Sequence, residues 1–504
     1  MSVPFVRQSM WRALSEAADE LDFVVIGGGA TGTAAALEAA TRGFRVALVE
    51  AEDFAAGTSS RSTKMVHGGV RYLRRGEFKL VREALRERAT LRRMAPHLVH
   101  PLRLVLPTRR FGERAFYTFG LTLYDWLSGG YRWTAARALS RAQALKAVPG
   151  LRREGLRGGV AYSDGQFDDA RLALALARTA AAHGALVVNH AAVTGFVRDG
   201  ERIVAVQVTD RIENRTLQLR ARLVLNCTGP GSDRVRQLAD PGLPTVMRLS
   251  RGAHLVLPAE FLGGDTGLIL PETRDGRVLF ALPWQGRVLV GTTDVAVDEI
   301  EDDPQVSEAE IDYLLEESKS LLARAPTRDD VVASFVGLRP LVSAEEMDDT
   351  ASLSREHAIL TGPPGMLTMA GGKWTTARRM AEELIDRSTR MLGDRPRPSI
   401  SARLVVVGGQ HGAKREPDPY GSERAEVERL CASLPGGNLP VAPGIELRQG
   451  EVAWMVREEM AVTDDDVLYR RARLGVLDAR ATAVASAPVA ALIQKFSDAL
   501  AQSG

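Results

Sequence analysis

The apolar and polar positions near the start of the chain predict a strand, a helix and a second strand in close succession. Residues 23–26 are all apolar, which is typical of a strand buried on both faces of a sheet. A glycine-rich turn follows, and then a helical pattern with small alanines at residues 34–36. Residues 45–49 form a second strand that ends just before Glu50. This order predicts a βαβ unit with two parallel strands.

The turn between the first strand and the helix has the glycine spacing of a dinucleotide-binding loop. Gly27 allows a tight turn, Gly29 lets the backbone approach a pyrophosphate, and Gly32 lets the helix pack close to the sheet. The helix N-terminus offers unpaired N–H groups and a partial positive charge to phosphates. Glu50 follows at about the spacing at which a carboxylate binds a ribose diol. Together these features predict a dinucleotide site.

Later segments predict a return to this sheet, a second domain and a helical C-terminus. Residues 223–226 are an apolar strand entering a small-residue turn at Gly229, where backbone can approach a flavin nucleotide, so we expect this strand in the first sheet. Residues 248–294 alternate in short strands divided by turns, which predicts an antiparallel sheet. Residues 332–336 are expected to lead back to the nucleotide domain. Residues 452–496 have an almost entirely helical pattern.

Composition and charge narrow the class of protein. The 504 residues are 45% hydrophobic and 25% charged, as in an ordinary soluble protein of several domains. A net charge of +2 argues against a nucleic-acid partner. The two cysteines, Cys227 and Cys431, are too few for a secreted disulfide framework and too far apart for a C-x-x-C metal or redox pair. We therefore expect a reducing cytoplasm and no metal.

Three segments bear on membrane association. Residues 1–20 lack the apolar stretch of a signal peptide. The long alanine- and leucine-rich tract at residues 172–188 is interrupted by Arg178 and His183, which predicts a buried helix running into a strand and not a membrane span. Residues 114–127 gather aromatic side chains between arginine-rich flanks, and two interpretations stay open: a helix resting in a lipid interface, or a core helix. Any membrane association is expected to be peripheral.

A charged helix is predicted over residues 78–93. Its acids and bases alternate at helical spacing, as in Glu83 with Arg86, and Glu87 with Arg88 and Arg92. We interpret this pattern as a solvated helix face.

The polar loop after the second strand carries the most specific signal. Residues 57–73 read GTSSRSTKMVHGGVRYL and closely resemble the flavin-side loop of the FAD-dependent, aerobic glycerol-3-phosphate dehydrogenases. The resemblance extends through residues 291–294, 336–340, 354–357, 371–376 and 466–475. Because it covers nearly the whole chain, the sequence is identified as a member of that family.

The resemblance implies an α/β fold with three parts. These are a Rossmann-like FAD-binding domain, an antiparallel-sheet substrate domain like that of D-amino-acid oxidase, and a C-terminal helical domain. After an N-terminal segment at 1–20, the expected divisions are FAD-binding parts at 21–100, 151–245 and 331–395, a helical cap insertion with a potential membrane contact at 101–150, the substrate domain at 246–330 and the helical domain at 396–504.

Substrate chemistry requires converging polar groups. A flavin accepts a hydride at N5, so the protein must hold a secondary alcohol carbon against the ring and accept the hydroxyl proton. A phosphorylated substrate adds about two negative charges, which guanidinium groups match well. By resemblance, the predicted substrate ligands are Arg71, Tyr72, Thr293, Arg339, Arg355 and Lys373.

The resemblance also assigns catalytic and cofactor residues. His67 precedes paired glycines and is expected against the isoalloxazine ring. His254 is the expected general base and Arg339 the alternative, although an arginine normally stays protonated. Thr375 or Thr376 is expected to cap a helix directed at the flavin N1 and C2 carbonyl. The predicted FAD ligands are Gly27, Gly29, Gly32, Glu50, Ser59, Ser60, His67, Gly68, Gly229, Gly371, Gly372 and Thr375.

The implied activity is oxidation of sn-glycerol 3-phosphate to dihydroxyacetone phosphate by FAD. A quinone is the expected electron acceptor, and we expect a homodimer on the cytoplasmic, inner face of the cell membrane. A glycerol-3-phosphate oxidase using oxygen is one alternative, although such oxidases usually carry an insertion that this chain lacks. The others are an FAD oxidase of amino or hydroxy acids, which would use one arginine for a carboxylate, and a non-enzymatic protein in which FAD is structural.

Overall fold

The computed structural model describes residues 3–17, 20–70, 73, 76–301, 303–342, 357–410 and 417–503. Three predicted substrate ligands, Arg71, Tyr72 and Arg355, lie outside these residues. In chain order the strands are β1 Leu21–Ile26, β2 Val46–Val49, β3 Met65–Val66, β4 Val99–Thr108, β5 Arg137–Ser140, β6 Gly158–Phe167, β7 Leu186–Val188, β8 Ala191–Asp199, β9 Arg202–Asp210, β10 Thr216–Asn226, β11 Met247–Pro258, β12 Thr266–Leu270, β13 Leu279–Trp284, β14 Arg287–Gly291, β15 Val295–Val297, β16 Ala333–Val342, β17 His357–Thr361 and β18 Met366–Gly371.

The helices connect and cover these strands. In chain order they are α1 Arg7–Glu16, α2 Ala30–Thr41, α3 Phe78–Met94, α4 Glu113–Ser128, α5 Arg141–Ala147, α6 Asp169–Ala182, α7 Ser232–Ala239, α8 Glu308–Ser318, α9 Ala377–Met391, α10 Arg424–Ser433, α11 Gln449–Glu458, α12 Leu474–Leu477 and α13 Ala479–Ser503. The tract at residues 172–188 is a buried helix followed by a strand, as predicted.

The first sheet contains the predicted βαβ unit. Its strands lie in the order β17-β18-β10-β1-β2-β7, with β8 and β9 as an antiparallel ribbon on β10. The neighbours from β18 to β7 are parallel, and Val24 of β1 lies between Val224 of β10 and Ala47 of β2. The return of residues 223–226 to this sheet is confirmed.

The second sheet is largely antiparallel, as predicted for a second domain. Its strands lie in the order β15-β11-β14-β13-β12-β4-β6-β3, with β16 on β11 and β5 on β6. Only the β12 and β4 neighbours, among the described pairs of this sheet, are parallel. Buried side chains of β11, β13 and β14 form its core together with Leu314 of α8.

The structure differs from two expected segment assignments. Residues 101–150 are not only a helical insertion, because they contribute most of β4 and all of β5 to the second sheet. Residues 333–342 form β16, which pairs with β11 from Ala333 opposite Val256 to Val342 opposite Met247, so they do not yet return to the first sheet. Alternating apolar residues identify a strand but not its partner, which is selected by hydrogen bonding between distant segments.

The C-terminal part is helical, as its sequence pattern predicts. α11, α12 and α13 cover most of residues 452–496 together with a wider helical turn at Asp466–Arg471, and α13 extends beyond this range to Ser503. Trp454, Val489 and Phe496 contribute to a separate core there.

The interpretation of α3 as a solvated charged helix is wrong for two of its residues. Glu87 is buried against Arg378 at 2.7 Å, and Arg88 is buried against Asp164 at 2.9 Å. These partners lie far along the chain, so helical spacing alone could not reveal them.

Candidate active site

The glycine turn after β1 is shaped by backbone packing. Gly27 has a φ of +103°, which favours glycine. A Cβ added to Gly32 would lie 1.8 Å from the carbonyl oxygen of Gly27, so α2 can begin this close to β1 only with glycine at that position. The resulting cradle presents the N-terminus of α2 at the carboxyl end of β1, the arrangement that binds a pyrophosphate.

Polar side chains surround this helix N-terminus. The Ser59 hydroxyl accepts a hydrogen bond from the Ala30 N–H at 2.8 Å. The Glu50 carboxylate accepts from the N–H groups of Gly28 and Glu52. Burial raises the pKa of Glu50, and these backbone bonds oppose the rise. Ser59 and Glu50 thus both lie beside the glycine turn.

Three glycine turns meet at one edge of the first sheet. Gly27 directly follows β1, Gly229 lies just beyond the end of β10, and Gly371 is the last residue of β18. β10 lies between β1 and β18 and runs parallel to both. Gly229, Gly371 and Gly372 all have positive φ. Trp374 donates from its indole to the Ser59 carbonyl at 2.9 Å and so ties the last turn to the serine loop. The carboxyl edge of a parallel sheet is where such folds bind nucleotides, and these glycine turns fit FAD.

The loop after β3 is attached to two elements. The His67 N–H donates to the Thr375 hydroxyl at 3.2 Å, and the Gly68 N–H donates to the Tyr124 hydroxyl at 2.7 Å. The expected capping of α9 is therefore not observed: Thr376 is the N-cap residue but makes no capping bond through its side chain, and the Thr375 hydroxyl is used by His67. The reason is a 3-10 turn at Trp374–Thr376, which precedes the helix.

Arg339 is held by the segment at residues 291–294. Its guanidinium donates to the Thr292 hydroxyl at 2.9 Å, to the Thr293 carbonyl at 3.0 Å and to the Asp294 carboxylate at 3.1 Å. Its side chain remains 34% exposed. Two motifs that are far apart in sequence thus place a fixed, accessible guanidinium at the second sheet.

The side chain of Thr293 is buried and takes part in the packing of the second sheet. Its hydroxyl accepts from the Ala253 N–H at 2.8 Å and donates to the buried carboxylate of Glu310 at 2.8 Å. The hydroxyl thus joins β11 to α8, and the role of Thr293 as a substrate ligand stays a prediction.

His254 lies on β11 in a buried position. Its ring stacks on Phe335 with centroids 4.7 Å apart, and Nε2 is 2.9 Å from the Thr63 hydroxyl. Burial, and then the charges of Lys64 and Arg339, lower the pKa of His254 to about 3. The imidazole is therefore neutral at pH 7 and can accept a proton. Lys373, also predicted at the site, is exposed in the turn after β18.

Comparison with known proteins agrees with this geometry. A family model described as FAD dependent oxidoreductase matches residues 22–378, and one described as C-terminal domain of alpha-glycerophosphate oxidase matches residues 368–498. Glycerol-3-phosphate dehydrogenase 2 of Mycobacterium tuberculosis is 38% identical over 495 residues, which cover 94% of this chain and 84% of the relative. The chain belongs to the FAD-dependent glycerol-3-phosphate dehydrogenase family.

Other relatives extend this finding. The human mitochondrial glycerol-3-phosphate dehydrogenase is 37% identical over 501 residues, covering 92% of this chain and 68% of the relative. The crystal structure of the glycerol-3-phosphate dehydrogenase from Bacillus halodurans complexed with FAD is similar with a TM-score of 0.79 and 29% identity, over 97% of this chain and 93% of that one. A glycine oxidase from Geobacillus kaustophilus, at 21% identity, shares the fold alone.

The sequence did not single out a buried charge cluster behind the serine loop of this dehydrogenase. Lys64 donates to the Asp169 carboxylate at 2.8 Å and to the Ser60 carbonyl at 2.6 Å, and Arg473 donates to the same two groups at 2.7 and 2.9 Å. Burial lowers the pKa of Lys64 to about 8. Burial acts to raise the pKa of Asp169, but its two cationic neighbours lower it overall.

Two further arginines of the C-terminal motif contact the loop after Glu50. Arg470 and Arg471 both donate to the fully buried carboxylate of Asp53. The C-terminal domain therefore contacts both the serine loop and the loop after Glu50 through buried arginine side chains. The only signal in the sequence was the arginine-rich run at residues 470–473 within a motif of the family.

Proposed function

We propose that this chain oxidises sn-glycerol 3-phosphate to dihydroxyacetone phosphate. The observation that carries the proposal is the placement of Arg339, anchored and accessible, close enough to the buried imidazole of His254 to lower its pKa. A cation for the phosphate and a neutral base for the hydroxyl are the two groups that this substrate needs. Bound FAD supplies the acceptor for the hydride.

The chemistry of each predicted site residue suggests its role in binding the cofactor or the substrate. Gly27, Gly29 and Gly32 would hold the pyrophosphate, and Glu50 the ribose. Arg339 and Lys373, with Arg71 and Arg355 by family resemblance, would bind the phosphate dianion.

His254 would accept the hydroxyl proton. Its low pKa arises from burial and from neighbouring cations, so a dianion bound beside Arg339 would offset that positive field and strengthen the base. The Thr63 hydroxyl, 2.9 Å from Nε2, orients the ring.

An anaerobic titration tests the reaction. Purified holoenzyme should lose its yellow absorption on addition of sn-glycerol 3-phosphate, and equal concentrations of glycerol, D-amino acids or 2-hydroxy acids should leave it oxidised. Bleaching by an amino or hydroxy acid instead would favour the alternative oxidase. No bleaching by any substrate, with FAD bound, would favour a structural cofactor.

A quinone is the electron acceptor in this proposal, as the family resemblance implies. The reduced enzyme should then be reoxidised much faster by a soluble quinone than by air-saturated buffer. Faster reoxidation by oxygen would identify an oxidase.

The enzyme is further proposed to bind the inner membrane surface through α4. Phe111 is 93% exposed, and Phe119 and Trp126 are each 75% exposed, although α4 buries Leu121 and Tyr124 on its other side. Exposed arginines within and on either side of α4 suit anionic headgroups: Arg114 lies in the helix, Arg110 precedes it and Arg132 follows it. None of the helices in the described part of the chain is long and apolar enough to cross a bilayer.

Vesicle sedimentation tests this surface. Replacing Phe119 and Trp126 by Ser should release the enzyme from vesicles containing phosphatidylglycerol, and replacing the exposed Leu439 of the C-terminal part by Ser should not. Equal binding of both variants would contradict the membrane role of α4. A homodimer is also proposed from the resemblance, and light scattering of the holoenzyme would measure its mass.

A further inference from the structure

Tyr124 of α4 lies at the centre of a buried hydrogen-bonded chain. Its hydroxyl donates to the Asp164 carboxylate at 2.8 Å and accepts from the Gly68 N–H at 2.7 Å. Arg88 donates to the other oxygen of Asp164 at 2.9 Å. Four elements are thus joined: α3, β6, α4 and the loop after β3.

The Tyr124 contact has a matching contact on the neighbouring peptide. His67 N–H donates to Thr375, and Gly68 N–H donates to Tyr124, so two consecutive amides are fastened to different elements. A Cβ added to Gly68 would lie 2.6 Å from the Tyr124 hydroxyl and 2.6 Å from Leu85. The position of the Gly68 peptide is therefore defined by both hydrogen bonding and packing.

The direction of this hydrogen-bonded chain is also defined. Burial, and then the Asp164 charge, raise the pKa of Tyr124 well above its ordinary value, so the hydroxyl stays protonated. Its proton goes to Asp164, because the Gly68 N–H can only donate. An oxygen lone pair of Tyr124 is left for Gly68.

We propose that Tyr124 is a positioning residue of the FAD site, which holds the peptides of residues 67–69 in the geometry that the bound flavin requires. The inference rests on the proposed function in placing this loop beside the cofactor. Loss of the hydroxyl leaves the Gly68 N–H and one Asp164 oxygen without this partner in a buried site. The loop can then relax away from its FAD-binding geometry, whereas Arg339 and Lys373 lie on other elements.

The test compares Tyr124→Phe with Tyr162→Phe. Tyr162 is a matched control because it is buried, and its ring centroid lies 6.4 Å from that of Tyr124. We expect Tyr124→Phe to weaken FAD binding to the apoprotein about tenfold and to change the visible absorption and midpoint potential of the bound flavin. Its kcat should fall by a larger factor than KM for glycerol 3-phosphate rises, since Arg339 and Lys373 lie on other elements.

Two outcomes would overturn the inference. One is a Tyr124→Phe variant whose FAD affinity, flavin spectrum and potential match those of Tyr162→Phe. The other outcome applies if Tyr124→Phe does not fold, and it uses Asp164→Asn. This variant keeps an acceptor for the Tyr124 hydroxyl but removes the charge that orients it. A wild-type flavin spectrum and midpoint potential in Asp164→Asn would refute the positioning role of Tyr124. Wild-type enzyme that binds FAD but is not reduced by glycerol 3-phosphate would refute the proposed function alone, because the FAD affinities and spectra would still test Tyr124.

Discussion

Substitution of Gly32 by Ala should weaken FAD binding by displacing the N-terminus of α2. The new Cβ would lie 1.8 Å from the Gly27 carbonyl oxygen, whereas real Cβ atoms essentially never approach within 3.0 Å. Relief requires α2 to move by more than about 1 Å, and overpacking of this kind costs about 1–3 kcal/mol. By contrast, a Cβ on Gly29 meets the Ser59 hydroxyl at 2.9 Å, which a side-chain rotation can relieve.

The shift of α2 has a calculable effect on the cofactor. The N–H groups at its N-terminus would move out of line with the phosphates, and each hydrogen bond to a charged group contributes about 1.5–3 kcal/mol. Loss of one such bond weakens FAD binding about 10- to 150-fold.

Fluorescence titration of apoprotein with FAD measures this effect. Gly264→Ala is the control, because its added Cβ meets no atom within 4 Å and its φ is not in the left-handed region. Gly264→Ala should bind FAD like wild type. A Gly32→Ala variant with FAD affinity within twofold of that control would refute the assignment of this turn to the pyrophosphate.

Three other perturbations have defined outcomes. Asp169→Asn should lower the free energy of unfolding by about 3–5 kcal/mol, because two buried cations lose their shared carboxylate; denaturant unfolding with the exposed Asp265→Asn as control measures this, and equal stability would contradict it. The pKa of His254 is lowered from 6.5 to about 3 in the folded protein, so between these pH values the unfolded chain binds one more proton than the folded one. The free energy of unfolding should therefore fall as the pH drops through this range, by up to about 1.4 kcal/mol per pH unit. His254→Asn should flatten this pH dependence of the free energy of unfolding, and an unchanged slope would refute the lowered pKa of His254. Arg339→Ala should lower kcat/KM by a factor that corresponds to about 2–5 kcal/mol of lost transition-state stabilisation, and wild-type steady-state kinetics would remove Arg339 from the site.

The α4 segment shows why a local pattern can leave two interpretations open. Its sequence contains enough aromatic side chains for either a core helix or an interfacial one, and the helical period does not say which face is covered. The structure buries Tyr124 and exposes Phe119 and Trp126. α4 packs against α3 and β6, which come from other parts of the chain, and this packing determines which face of α4 is buried.

The sequence by itself determined the parts of this protein that depend on neighbours along the chain. The βαβ unit follows from apolar runs and from Gly27 and Gly32, because strand burial and the close start of a helix are local requirements. The resemblance of several motifs was enough to indicate the family and its cofactor.

Only the tertiary structure decided which distant groups meet. It placed Arg339 beside Thr292, bonded the Thr293 hydroxyl to Glu310, and buried Lys64 beside Arg473. These partners are separated by 17 to about 400 residues along the chain, and they meet because folding buries their segments together, so no local pattern encodes the identity of the partner.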